Sequence, residues 1–190
     1  MPNWTYNIIR ASGSKESLDA FLSKTTKVNN SAMYDDERLS FDFESIIPMP
    51  DNIFRGNIGK EEKEHCKANN IPNWYDWSVE NWGTKWNACD SVIERESDTF
   101  VRLMFSTAWS YPLPVMEKMF ELFPDIDFIV EAEEESEAFA LMHTRKDGII
   151  EGTFSYMVDD KVVEYDPKRE QWVDNKGNGY EDYDRREIFY

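Results

Sequence analysis

Between residues 99 and 133 the spacing of apolar side chains changes period twice, and no other feature constrains the fold as tightly. Val101, Leu103 and Phe105 alternate as in a half-buried strand. Leu113, Met116, Met119, Phe120 and Phe123 then recur at helical spacing, opened by Pro112 and Pro114 and stopped by Pro124. From Ile126 the period returns to two, with Ile126, Phe128, Val130 and Ala132 on one side. Strand, helix and strand each carry one apolar side, so they must close over a shared core.

The first half repeats the theme. Residues 4–11 read as a strand closed by Gly13, and Ser14 is placed to cap a helix burying Leu18, Phe21 and Leu22. In LSFDFESII (39–47), Leu39, Phe41, Phe43 and Ser45 alternate with Ser40, Asp42 and Glu44, which predicts a half-buried strand stopped by Pro48 and Pro50. Gly56, Gly59, Asn69, Asn70 and Pro72 interrupt residues 51–73, where Lys60–Ala68 is expected as a short exposed helix. A second helix is expected over 74–82, ending near Gly83. Further strands are expected at 87–95, 137–145 and 149–156, the last two joined by Lys146-Asp147-Gly148.

These elements predict an α+β fold with two helices packed on a mostly antiparallel sheet. The plan is a split βαβ of ferredoxin-like type, with a helical insertion and extra C-terminal strands. Residues 1–156 read as one domain, with an insertion and its Trp-rich helix at 51–86. Residues 157–190 read as a polar, acidic extension that forms a short hairpin on the domain.

Charge narrows the function. Thirty-eight acidic against 21 basic residues give a net charge of −17. Such a chain repels phosphate backbones and anionic membranes, so a basic or nucleic-acid-binding protein is the expected partner, and direct nucleic-acid binding is disfavoured. No apolar run reaches the length of a membrane span, the N-terminus lacks a signal-peptide pattern, and Cys66 and Cys89 are too few for a disulfide scaffold. A cytoplasmic protein with reduced thiols is the expectation.

Catalytic patterns do not emerge. His65, Cys66, Cys89 and His143 are not paired at zinc-ligand spacing, no calcium loop is present, and no metal or cofactor is expected. Gly59-Lys60 lacks the rest of a phosphate loop, Gly56-Asn57-Ile58-Gly59 reads as a turn, and there is no nucleophile elbow. His143 is expected on a sheet surface. The chain reads as a binding protein, with a hydrolase or metal enzyme as the remote alternative.

Two surfaces could bind. Strand alternation over 125–137 puts Asp127, Glu131, Glu133, Glu135 and Glu137 in one outward row interrupted by Ile129. Alternate residues sit about 7 Å apart, comparable with phosphate spacing, so the row could mimic DNA before a basic groove; a solvated acidic face is the commoner use of such a row. The other surface is aromatic: Trp74, Trp77, Trp82 and Trp86 could form a stacking platform for a nucleotide or nucleic acid. Core packing is the commoner use of such a stripe, with Trp74, Trp82 and Trp86 aligned if the helix continues to Trp86.

Three segments carry a family resemblance. The opening Met1-Pro2-Asn3-Trp4-Thr5-Tyr6-Asn7, the box Asn81-Trp82-Gly83-Thr84-Lys85-Trp86-Asn87-Ala88, and Phe105-Ser106-Thr107-Ala108-Trp109-Ser110 with Pro112 and Pro114 resemble the Api92-like (YubB-type) family. The resemblance spans most of residues 1–125. It implies a ferredoxin-like domain carried on phages, plasmids and genomic islands, with no catalytic residues to transfer. Thr5 stands where the family has Cys, and Tyr111 separates Ser110 from Pro112 where the family has Pro-Pro.

Overall fold

In strand β1 (Trp4–Ser12), Thr5, Asn7, Ile9 and Ala11 are buried while Tyr6 and Ser12 are exposed, so one side of the sheet is inner and one outer. The computed structural model describes residues 3–29, 38–136, 139–158, 161–166, 171–174, 176 and 178–180. Helix α1 (Lys15–Thr25) follows directly. The Ser14 hydroxyl accepts the Ser17 N–H at 3.1 Å, and the helix buries Leu18, Phe21 and Thr25. A small hairpin of β2 (Thr26–Asn29) and β3 (Arg38–Phe41) comes next, then α2 (Lys60–Ala68) and α3 (Trp74–Trp82).

The chain then returns to the main sheet through β4 (Cys89–Ser97) and β5 (Phe100–Ala108), helix α4 (Leu113–Leu122) and β6 (Asp127–Glu134). β5 lies between β1 and β4, and β1 lies between β5 and β6, with every neighbour antiparallel. That interleaving is the split βαβ of the ferredoxin-like plan, so the α+β expectation holds. α4 buries Val115, Met116, Met119 and Phe120, and Phe21 of α1 meets Phe128 edge-on at 5.5 Å between ring centres. Each such side chain contributes about 1.5–3 kcal/mol by leaving water, so the inner layer dominates stability.

Two expectations change. The strand expected over 39–47 stops at Phe41, and Phe43–Ser45 form a 3₁₀ turn. Leu39 is exposed, whereas Asp42, expected outward, is buried. The reason is local: the Asp42 carboxylate accepts from Ser45 Oγ at 2.6 Å and from Asn87 Nδ2 at 2.7 Å, and pairs with Lys27 at 2.5 Å. Those bonds bend the chain where alternation alone would extend it.

The second change concerns the C-terminal part. β7 (Phe139–Lys146), β8 (Ile149–Val158), β9 (Lys161–Asp166), β10 (Gln171–Asp174) and β11 (Gly179–Tyr180) form a meander outward from β6. The described residues beyond 156 therefore extend the domain's own sheet, to nine strands among the described residues, instead of docking a separate hairpin on it. Backbone hydrogen bonding to β8 recruits a polar segment that apolar periodicity could not flag.

Candidate functional site

Both α1 and α4 pack on the inner side, and no helix of the described residues covers the outer side of the sheet. Register across the strands aligns Val92, Met104, Ile8, Glu131, Met142 and Thr153 in one transverse line. Beside it run Tyr6, Glu133, Ala140 and Ser155. Tyr6 is 53% exposed and Met142 45%, far more than strand side chains beneath a helical layer. Together with Ile8, Glu131 and Glu133 they line a shallow groove of about 420 Å³.

The carboxylates of this face are less uniform than alternation implies. Asp127 is half-buried and its Oδ1 accepts the Asp147 N–H at 3.0 Å. Glu131 is held by Arg10 at 2.5 Å. Glu133 is exposed and forms no ion pair with a described residue. The strand ends at Glu134, so Glu135 lies in the following turn, where its N–H donates to Trp4 O at 2.8 Å; Glu137 lies outside the described residues. The regular row thus runs from Asp127 to Glu133, with its middle neutralised. Nearby, Arg102 pairs with Glu94 at 2.5 Å and with Glu96 at 3.4 Å.

The tryptophans divide between core and surface. Helix α3 ends at Gly83, which takes a left-handed φ of +74°, so the stripe does not reach Trp86. Trp82 is 4% exposed and donates its indole N–H to Ile47 O at 2.9 Å. Trp77 packs edge-on against it, and Trp74 donates to Gly56 O at 2.9 Å. These three anchor the insertion to the core, Trp82 buried and Trp74 and Trp77 half-buried.

Trp86 belongs to a different group. Its ring lies 6.0 Å from that of Trp4, and the Lys85 ammonium sits 4.5 Å from the Trp86 ring centre. The same ammonium is 5.1 Å from Trp109 and 5.8 Å from Tyr75, and Lys63 of α2 lies 3.5 Å over Tyr75. Trp109 is 39% exposed and adopts φ +73°, a conformation that bulky residues avoid. Its backbone is fixed there by donation from its N–H to Asn3 O at 2.9 Å.

Sequence reasoning missed Trp4, Tyr75, Lys85 and Trp109 as a group. Their signal was present, because Trp4, Lys85 and Trp109 each sit in one of the three resembling segments. Pairing of Trp4 with Ala108 at the β1–β5 register brings the first and third together. Buried hydrogen bonds fasten the second: Thr84 Oγ1 donates to Ala108 O at 2.8 Å, and the Ser110 hydroxyl donates to Gly83 O. Asn7 Nδ2 donates to Thr107 Oγ1 at 3.0 Å, which in turn donates to Ser110 O at 2.7 Å.

His143, expected on a surface, is 5% exposed on the inner side. Its Nδ1 lies 3.1 Å from the Tyr111 hydroxyl, and Phe120 lies edge-on to its ring. Burial lowers its pKa from 6.5 to about 4 and raises that of the phenol, so a neutral imidazole and a protonated phenol share this hydrogen bond. β7 pairs with β6 so that His143 stands opposite the inward-facing Val130, which puts its side chain on the inner side. Cys66 is buried, and burial followed by the neighbouring Asp90 raises the Cys89 thiol. Among the described residues no three His, Cys, Asp or Glu side chains come together as a metal site, and no helix is long and apolar enough to cross a membrane.

Residues 81–171 match the family model described as the ferredoxin-like domain in Api92-like protein. The fold is similar to the crystal structure of protein Api92 from Yersinia pseudotuberculosis, with a TM-score of 0.54 and 9% identity over 83% of this chain and 99% of that one. At that identity the second likeness concerns the fold alone. No curated protein matches the chain.

Proposed function

We propose that this Api92-like chain is a non-catalytic binding module that receives a basic protein segment on its uncovered sheet face. The observation that carries the reading is the groove lined by Tyr6, Ile8 and Met142 with Glu131 and Glu133 at its side. Apolar floor and acidic edge suit a cationic segment with interspersed apolar side chains, which gains area from the first and charge pairing from the second. A net charge of −17 favours the same class of partner and speeds its approach.

Mimicry of a DNA backbone is the narrower form of this reading. It needs several free, evenly spaced carboxylates, and Arg10 occupies the middle one. A basic protein in general therefore fits better than a protein that reads phosphate spacing. Residence on phages, plasmids or genomic islands, as the resemblance implies, suits a chain whose task is to occupy another protein.

The test is titration of the full chain with an arginine-rich peptide, followed by capture of partners from a host extract. Binding should weaken with salt, and Glu133→Lys and Met142→Asp should each weaken it while leaving the circular dichroism spectrum unchanged. Affinity unchanged in both variants would rule the face out.

A further inference from the structure

Lys63 and Lys85 form no ion pair with any described residue, in a chain where acids outnumber bases by 38 to 21. Both ammonium groups lie within 6 Å of the Tyr75 ring centre. Around Lys85 stand Trp86 and Trp109, with Trp4 behind Trp86. Two cations with no ion pair to a described residue thus stand beside the half-buried Tyr75 and Trp86 rings and the exposed Trp109 indole. Trp109 is kept there in a left-handed conformation, and backbone of that kind clusters at ligand-binding and active sites.

We infer that this shelf is a binding site for a nucleoside phosphate, independent of the sheet-face groove. The base stacks on the exposed Trp109 indole, and the phosphate displaces the lysines from their rings to take charge-assisted hydrogen bonds from Lys63 and Lys85. The ring faces alone would suit a cationic ligand, but two ammonium groups already stand against them, so an anion is favoured. The size of the ligand follows from the surrounding field. A strand of nucleic acid would lay successive phosphates across a surface of charge −17, whereas a mononucleotide places its charge only at the two lysines.

Adenosine monophosphate, adenosine, inorganic phosphate and a single-stranded oligothymidylate are titrated separately into the full chain, with tryptophan fluorescence and calorimetry as readouts. Saturable quenching by adenosine monophosphate, with adenosine and phosphate each binding about tenfold more weakly or worse, supports the site. Lys63→Gln with Lys85→Gln should lower nucleotide affinity by more than about tenfold while leaving the weak adenosine binding unchanged. Trp109→Leu should remove most of the quenching. Absence of saturable nucleotide binding at millimolar concentration, or affinity unchanged in the double glutamine variant, would overturn the proposal. So would tighter, salt-steep binding of the oligothymidylate, which would make the shelf a strand-binding surface.

Discussion

The Arg10 guanidinium of β1 meets the Glu131 carboxylate of β6 at 2.5 Å on the uncovered sheet face, and so neutralises the central acid of the row. Exposed pairs of this kind contribute about 0.2–1 kcal/mol to stability. Arg10→Ala should therefore leave the melting temperature nearly unchanged. It should strengthen binding of an arginine-rich peptide by about fivefold at low salt, since one freed charge at contact distance is worth about 1 kcal/mol in water. The gain should vanish near 1 M salt, where screening acts within about 3 Å.

Stability should depend on pH through His143. Burial lowers its folded pKa to about 4, against 6.5 for the ordinary side chain. Between those values the unfolded chain binds a proton that the folded chain does not, so stability is complete above pH 6.5 and is lost as pH falls toward 4. The loss is about 2–3 kcal/mol from this group. Asp42 acts in a lower window: burial raises its pKa, but the bonds from Lys27, Ser45 and Asn87 outweigh that and lower it, so its contribution fades below pH 4. Denaturant titrations at pH 7 and pH 5 should show the first loss, and His143→Gln should flatten it.

Thr5 and Thr107 should respond in opposite directions to valine. The Thr5 hydroxyl is fully buried and makes no hydrogen bond with a described residue. Thr5→Val removes that unsatisfied group at nearly equal volume and should stabilise by about 1 kcal/mol, or about 2–4 °C in melting temperature. Thr107 both receives Asn7 and donates to Ser110, so Thr107→Val should cost about 1–3 kcal/mol. Calorimetry on the two variants checks the contrast.

Gly83 should not tolerate alanine. A Cβ there would stand 2.9 Å from Pro114 Cδ and 3.3 Å from Tyr111 O, at a φ of +74°. Left-handed backbone alone costs a residue with a side chain about 1–2 kcal/mol. Gly83→Ala should cost about 2–4 kcal/mol by chemical denaturation, through the joint between α3 and the sheet.

Regular segments were legible from sequence wherever one residue's environment follows its neighbours' at a fixed period. The helices Lys60–Ala68 and Trp74–Trp82 were foreseen to the residue, and the buried row from Ile126 to Ala132 was foreseen in full. Of the three short segments that carried the resemblance, the second and third fall within the family-model match over residues 81–171, and the opening one lies outside it. Legibility ended where a contact between distant residues overrode the local period. Asn87 reaching Asp42 turned a predicted strand into a 3₁₀ turn, and a histidine read as superficial packs under Tyr111.

By itself the sequence determined the α+β class, the split βαβ order and the acidity, because these depend on apolar periodicity and composition. The tertiary structure alone decided how the charges and rings are used. Strand register placed Arg10 against Glu131, and the β1–β5 pairing carried Trp4 and Trp109 to the loop that bears Lys85. Such juxtapositions join residues up to 121 positions apart, and no local pattern encodes which side chains will meet once the backbone has closed.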